Sequence, residues 1–234
     1  MAYTKFDITV PAINKYYTSK GGVDYSSATT ITAHKKMIAE IEKNYGTEIE
    51  KWAKVFDIDK GIIIGFIATE SGGKNVGANK YKAVGLMQVT PNTVYEVYTK
   101  WSSQVKVPLS ATTKTFLSGK ASTTSKWSSS RVPTSAETTQ ILSALKNTEY
   151  NIAMGTATIR WMLEAFAKLG VGGLDKVMVA YNAGYYGMRN KIKDLTIDKI
   201  VTSTTIPVES RAYVLKMMGV NGFMDLYYNV LDKD

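Results

Sequence analysis

One acidic residue is set apart by what precedes it. Glu70 closes the run Gly61-Ile62-Ile63-Ile64-Gly65-Phe66-Ile67-Ala68-Thr69 and opens a glycine-rich polar stretch that ends at Gly85-Leu86-Met87-Gln88. An unpaired carboxylate in apolar surroundings is costly to ionise, so such a group takes up a proton instead. A carboxylic acid that keeps its proton near neutrality can work as a general acid. The same position also suits a helix end that simply reaches solvent, where most charged side chains lie. The segment alone leaves both readings open.

The elements that must hold Glu70 follow from the pattern around it. Ile62, Ile63, Ile64, Phe66 and Ile67 leave no wide polar face, so the run predicts a helix buried nearly all round, with Asp57 as its N-cap. It would deliver its carboxylate to the edge of a cleft, with the following loop and the Gly-Leu-Met-Gln turn as the adjoining wall. Upstream, Met37, Ile38, Ile41 and Tyr45 share a face, which predicts a helix from Thr32 to about Tyr45 stopped by Gly46. A second helix is expected over Glu48 to Val55. Residues 1–30 read as an N-terminal arm or irregular cover, with Tyr16, Tyr17 and Tyr25 packing on the body.

Downstream, Thr90-Pro91 is a helix start, with Thr as N-cap and Pro at the first helical position. Val94, Val97 and Trp101 line one side of that helix. From 102 to 133 the chain turns to Ser, Thr and Lys without periodicity and reads as a surface insertion. Thr134-Ser135-Ala136-Glu137 has capping-box spacing. A long helix is expected over Thr148 to Leu169, with Ile152, Thr156, Ile159, Leu163 and Phe166 inward. Shorter helices follow at Asp175 to Ala183, after Ile206-Pro207 with Tyr213, Val214, Met217 and Met218 inward, and at Met224 to Leu231. The reading is mainly α, one globular domain over 31–234, with at most a small β element near residues 72–84.

Composition excludes several chemistries. There is no Cys, which removes disulfides, thiolate metal sites and a cysteine nucleophile. The single His34 sits in a polar stretch and reads as a surface residue. No cofactor or metal is expected. No apolar run approaches the roughly 18–20 residues that span a bilayer, so membrane insertion is not expected. Met1 to Val10 lacks an apolar core after a basic start, so a secretory signal is not expected. The net charge of +9 points to an anionic partner. Its Lys and Arg are dispersed, which favours an anionic polymer such as a cell wall over nucleic acid.

Four separated pieces, in order, carry a resemblance: Glu70-Ser71, Gly85-Leu86-Met87-Gln88, Ala180-Tyr181-Asn182-Ala183-Gly184, and Ile206-Pro207-Val208-Glu209-Ser210-Arg211-Ala212-Tyr213-Val214. Together they resemble the soluble lytic transglycosylase catalytic domain, a lysozyme-like helical fold related more distantly to goose-type lysozymes. Asn151-Ile152-Ala153-Met154-Gly155 resembles that family's central helix. The likeness spans roughly residues 55–100 and 148–220.

The resemblance implies cleavage of the MurNAc–GlcNAc bond of peptidoglycan by one glutamate, Glu70, acting first as acid and then as base. The sugar's own C6 hydroxyl closes on C1, and the product is a 1,6-anhydro sugar. Many other glycosidases use two carboxylates. The resemblance further places Ser71, Asn79, Met87, Gln88, Tyr181, Asn182, Glu209 and Tyr213 at the substrate, with Tyr181 able to orient Glu70. For Ser71 a backbone-capping role competes, for Met87 plain packing, for Tyr181 a core tyrosine whose hydroxyl merely finds a partner, and for Arg211 and Tyr213 an ion pair and a core ring. Asn79 stands where the family often has Ser, Thr90 where it often has Met, and Ser210 where it usually has Thr. The 102–133 stretch has no counterpart.

The expected activity is therefore a peptidoglycan lytic transglycosylase. A lysozyme-type hydrolase of the same bond is the rival. It needs a further carboxylate, absent from residues 71–88, which Asp194 or Glu209 would have to supply. A non-catalytic wall-binding module would not need Glu70. The expected partners are peptidoglycan strands and phage tail or virion proteins. The expected setting is a bacteriophage enzyme, either a virion component or an endolysin, acting on its host's wall, with a non-classically exported muralytic enzyme as the alternative.

Overall fold

The computed structural model describes residues 27–101 and 135–231. The arm through residue 26, the 102–133 insertion and Thr134 lie outside the described residues, as does the side chain of Trp101. The described chain is mainly α-helical. In order it contains α1 (Ala28–Phe56), α2 (Lys60–Ser71), α3 (Pro91–Trp101), α4 (Ser135–Leu145), α5 (Thr148–Ala167), α6 (Leu174–Ala183), α7 (Tyr185–Ile192), α8 (Ile197–Thr202), α9 (Val208–Met218) and α10 (Phe223–Leu226). A π-helical turn, Tyr227–Leu231, closes it. The one β pairing among the described residues is the antiparallel bridge Val84–Val89, which pinches the Gly-Leu-Met-Gln turn.

α1 corrects the expectation of two helices broken at Gly46. It runs unbroken for 29 residues. A mid-helix Gly costs about 1 kcal/mol relative to Ala. That is small against the burial of Ile38 and Ile41 before it and Ile49, Trp52 and Phe56 after it. The helix also begins earlier than expected, because Ser27 caps it through the Thr30 N–H. Asp57 is not the N-cap of α2. It takes the left-handed conformation that ends α1, and Asp59 two residues on accepts from the Gly61 N–H at 2.8 Å.

α2 is buried along Gly61–Ala68, as its sequence requires. α1, α9 and α10 pack around it. α5 forms a second internal helix, contacting α1, α3, α4 and α6, with Ile152, Thr156, Ile159 and Phe166 buried as predicted. Thr90 caps α3 through the Thr93 N–H, and Val94 and Val97 are fully buried. α7 and α8 were not expected. They have 8 and 6 residues, too few turns to show a helical period.

His34 overturns the surface reading. It is 6% exposed, with its ring centroid 4.6 Å from that of Phe223. Of its polar neighbours Lys36 is exposed and Lys35 half-buried, so the chain turns polar around a ring that itself faces the core. Burial, and secondarily the charge of Lys216, hold the His34 pKa below its usual range.

Candidate active site

Glu70 is the penultimate residue of α2, half-buried where that helix runs out. The last carbonyls of a helix have no partner within it. Here Gly72, left-handed at φ 61°, donates its N–H to Ala68 O at 3.2 Å, and Ser71 Oγ donates to Ile67 O at 3.2 Å. Ser71 therefore turns back onto its own helix.

The carboxylate of Glu70 meets α9. Tyr213 Oη donates to Glu70 Oε1 at 2.7 Å. Phe66, one turn earlier on α2, packs its ring against both Tyr181 at 4.8 Å and Tyr213 at 5.9 Å between centroids. This aromatic layer covers one side of the end of α2. Burial pushes the Glu70 carboxyl up to about 7; the Tyr213 hydrogen bond and the Lys216 charge pull it down, and the Glu209 charge pushes it further up. Burial also raises the hydroxyls of Tyr181 and Tyr213 well above their ordinary value, so both stay protonated as donors.

Tyr181 does not bond to Glu70. Its hydroxyl donates to Met87 O at 2.8 Å, fixing the turn at 85–88 beside the acid. That turn is held from below by Asn151, fully buried on α5. Its Oδ1 accepts from the Met87 N–H at 2.9 Å, and its Nδ2 donates to Val84 O at 2.8 Å and Leu145 O at 3.1 Å. Two glycines permit the close approach. Gly85 has φ 80°, and a Cβ there would lie 2.2 Å from Asn151 Nδ2. At Gly155 a Cβ would lie 2.4 Å from Met87 Sδ.

The predicted site residues divide accordingly. Glu70, Tyr181 and Tyr213 come together, with the Met87 backbone between them. The Met87 side chain is fully buried against Gly155, so it packs in the core and presents no surface to a sugar. Gln88, at φ 45°, stands on the turn with Nε2 donating to Gly85 O at 2.9 Å. Asn79 is exposed, but its carboxamide is engaged internally. It donates to Gln88 Oε1 at 3.2 Å and accepts from the N–H groups of Tyr81 at 2.8 Å and Ala83 at 3.1 Å. It braces the loop and orients Gln88. Asn182 Oδ1 accepts from buried Ser210 Oγ at 2.7 Å, tying the end of α6 to the start of α9. Glu209 is exposed, yet close enough for its charge to act on Glu70. Asp194 is exposed and paired with Lys193 at 3.4 Å. Sequence reasoning missed Ser210 as the holder of Asn182, Asn151 as the support of the turn, and Lys216. The buried Asn within the apolar face of α5 was the one visible signal.

Residues 47–114 match the Transglycosylase SLT domain family. The matched segment contains Glu70, Asn79 and the 85–88 turn. It stops short of Tyr181, Asn182, Glu209 and Tyr213, which the fold brings back to it. No curated protein matches the chain. The family match implies lytic transglycosylase activity on peptidoglycan. No described helix is long and apolar enough to cross a membrane.

Proposed function

We propose that the chain cleaves the β-1,4 bond between MurNAc and GlcNAc without water, leaving 1,6-anhydroMurNAc. Glu70 gives its proton to the glycosidic oxygen, the C1–O bond breaks, and the departing GlcNAc leaves with a hydroxyl. The MurNAc C6 oxygen then bonds to C1 while its proton passes to the Glu70 carboxylate, which restores the acid. An intramolecular hydroxyl has a large effective molarity, so it outcompetes water. The N-acetyl group of the substrate stabilises the positive C1, so a second protein carboxylate is not required. Tyr213 orients Glu70, and Gln88, Tyr181 and Asn182 form the adjoining contact surface.

The observation that carries this reading is a half-buried glutamate whose carboxyl sits at about 7 and is held by a tyrosine donor. At neutral pH it divides between acid and base forms, as a group that must act as both requires. Digestion of purified peptidoglycan with the wild-type chain and with Glu70→Gln tests it. Muropeptides one water lighter than reducing-end sugars, made by the wild type and not by Glu70→Gln, support the reading. Full activity in Glu70→Gln removes Glu70 as the acid.

The hydrolase reading draws on Glu209, whose charge reaches Glu70 and which could hold a water. It predicts reducing ends in the same digest. For the setting we propose a bacteriophage enzyme working on its host's wall, with the net charge of +9 drawing the chain to that anionic polymer. Mass spectrometry of purified phage particles tests the virion form, and its absence there would point to an endolysin.

A further inference from the structure

One half-buried cation beside the acid has no part in the chemistry above. Lys216 lies on α9 one turn beyond Tyr213. Its Nζ donates to Thr69 O at 3.3 Å, the carbonyl of the residue just before Glu70. α9 thus grips the last turn of α2 at two successive residues, through a tyrosine on the Glu70 carboxylate and a lysine on the Thr69 carbonyl. The ammonium also lies over the Phe223 ring, 5.4 Å from its centroid, and that ring packs on His34. Lysine is strongly hydrated and among the residues least often buried. Here the carbonyl and the aromatic face together fix where its charge lies.

We propose that Lys216 is a positioning residue for Glu70, anchored on the Thr69 carbonyl so that it presents a fixed positive charge to the carboxylate without forming an ion pair with it. This rests on Glu70 being the acid. A direct ion pair would hold the carboxylate ionised and spoil a general acid. With no compensating charge, the helix C-terminus and partial burial would keep the proton too tightly for Glu70 to act as a base. A cation offset onto the neighbouring carbonyl gives an intermediate pull. The groups that face Glu70 are Tyr213, Lys216 and Glu209 from α9 and Tyr181 from α6. His34, from α1, faces Lys216, and burial first and the Lys216 charge second lower its proton affinity. Burial lowers the proton affinity of Lys216, and the Glu70 charge raises it again, so the two groups support each other's ionised forms.

The test compares wild type, Lys216→Met and Lys216→Arg as full chains, reading kcat/KM on purified peptidoglycan against pH. A general acid must be protonated in the free enzyme, so the alkaline limb follows Glu70. Lys216→Met should move that limb up by about one pH unit, and Lys216→Arg should return it toward wild type. A lysine that only caps α2 would lower activity at all pH values and leave the limb in place, which would overturn the proposal. The second readout is a carbon-13 titration of the Glu70 side-chain carboxyl in wild type and in the milder Lys216→Gln. It needs no turnover, so it separates the fate of this inference from that of the activity. An unmoved Glu70 titration in Lys216→Gln overturns the inference even in an active enzyme, while a shifted one upholds it even if the digest shows no cleavage.

Discussion

Tyr213 hydrogen-bonds to Glu70 across 143 positions of sequence, at 2.7 Å between hydroxyl and carboxylate. It joins the end of one buried helix to the middle of another, with the Phe66 ring closing the space between them. A donor aimed at a carboxylate favours its ionised form, so Tyr213 offsets part of what burial does to Glu70.

Tyr213→Phe should therefore reduce kcat about tenfold, the worth of roughly 1.4 kcal/mol from one hydrogen bond to a charged group. The alkaline limb of the pH profile should move upward in the same variant. Steady-state digestion of peptidoglycan across pH checks both.

Glu209→Gln should move the same limb the other way. The Glu209 charge raises the proton affinity of Glu70, so its removal lets Glu70 ionise at lower pH. Glu209 is exposed, and a Debye length of about 10 Å at 0.1 M salt screens it. The displacement should be measurable at low ionic strength and shrink at high salt. Products should remain anhydro sugars; reducing ends lost in this variant would instead identify Glu209 as the hydrolytic base.

Glu70 should cost stability at neutral pH. Its pKa is near 4.5 when unfolded and about 7 when folded. Between those values the unfolded chain loses its proton first and binds fewer protons, so stability falls as pH rises. The cost is absent below about pH 4.5 and complete above about pH 7, reaching roughly 3 kcal/mol at most. Glu70→Gln removes it. Urea unfolding should find Glu70→Gln more stable than wild type at pH 8 and nearly equal at pH 4.

Asn151→Ala should destabilise the fold by about 3 kcal/mol, because it strands the Met87 N–H and the carbonyls of Val84 and Leu145 in a dry interior. Activity should fall further than stability accounts for, since the 85–88 turn that Tyr181 bonds to loses its support. Denaturant melts and kcat, measured well below the unfolding midpoint, separate the two effects.

Gly155→Ala should cost about 2 kcal/mol through overpacking against Met87, whose Cβ and Sδ lie 2.7 Å and 2.4 Å from the added methyl. Met87→Ala in the same chain should recover part of that loss, and a double-mutant cycle reads the coupling directly.

Local pattern carried far where it reported on burial or on a cap. The unbroken apolar face of 62–67 already called for a helix enclosed on all sides, and the Thr90-Pro91 start and the inward stripe of α5 were legible in the same way. Gly46 does not stop α1 because a mid-helix glycine weighs about 1 kcal/mol, less than the packing on either side of it, and Asp57 yields the N-cap of α2 to Asp59 because α1 runs on through Phe56 and ends on Asp57 itself. The resemblance placed Glu70, Tyr181 and Tyr213 near one another but could not apportion their bonds.

What the sequence by itself determined was that a carboxylate would stand at the end of an apolar helix, because the hydrophobic effect acts on each residue's own composition and spacing. Which partners meet that carboxylate was decided by tertiary structure alone. His34 looks like a solvated residue in its local segment, Lys216 carries no local signal of its role, and Met87 is open between a sugar contact and plain packing. Their positions follow from how α1, α9 and α5 pack against α2 and its loop. Electrostatic and hydrogen-bond energies depend on distances between residues far apart in the chain, and folding sets those distances only when the helices dock.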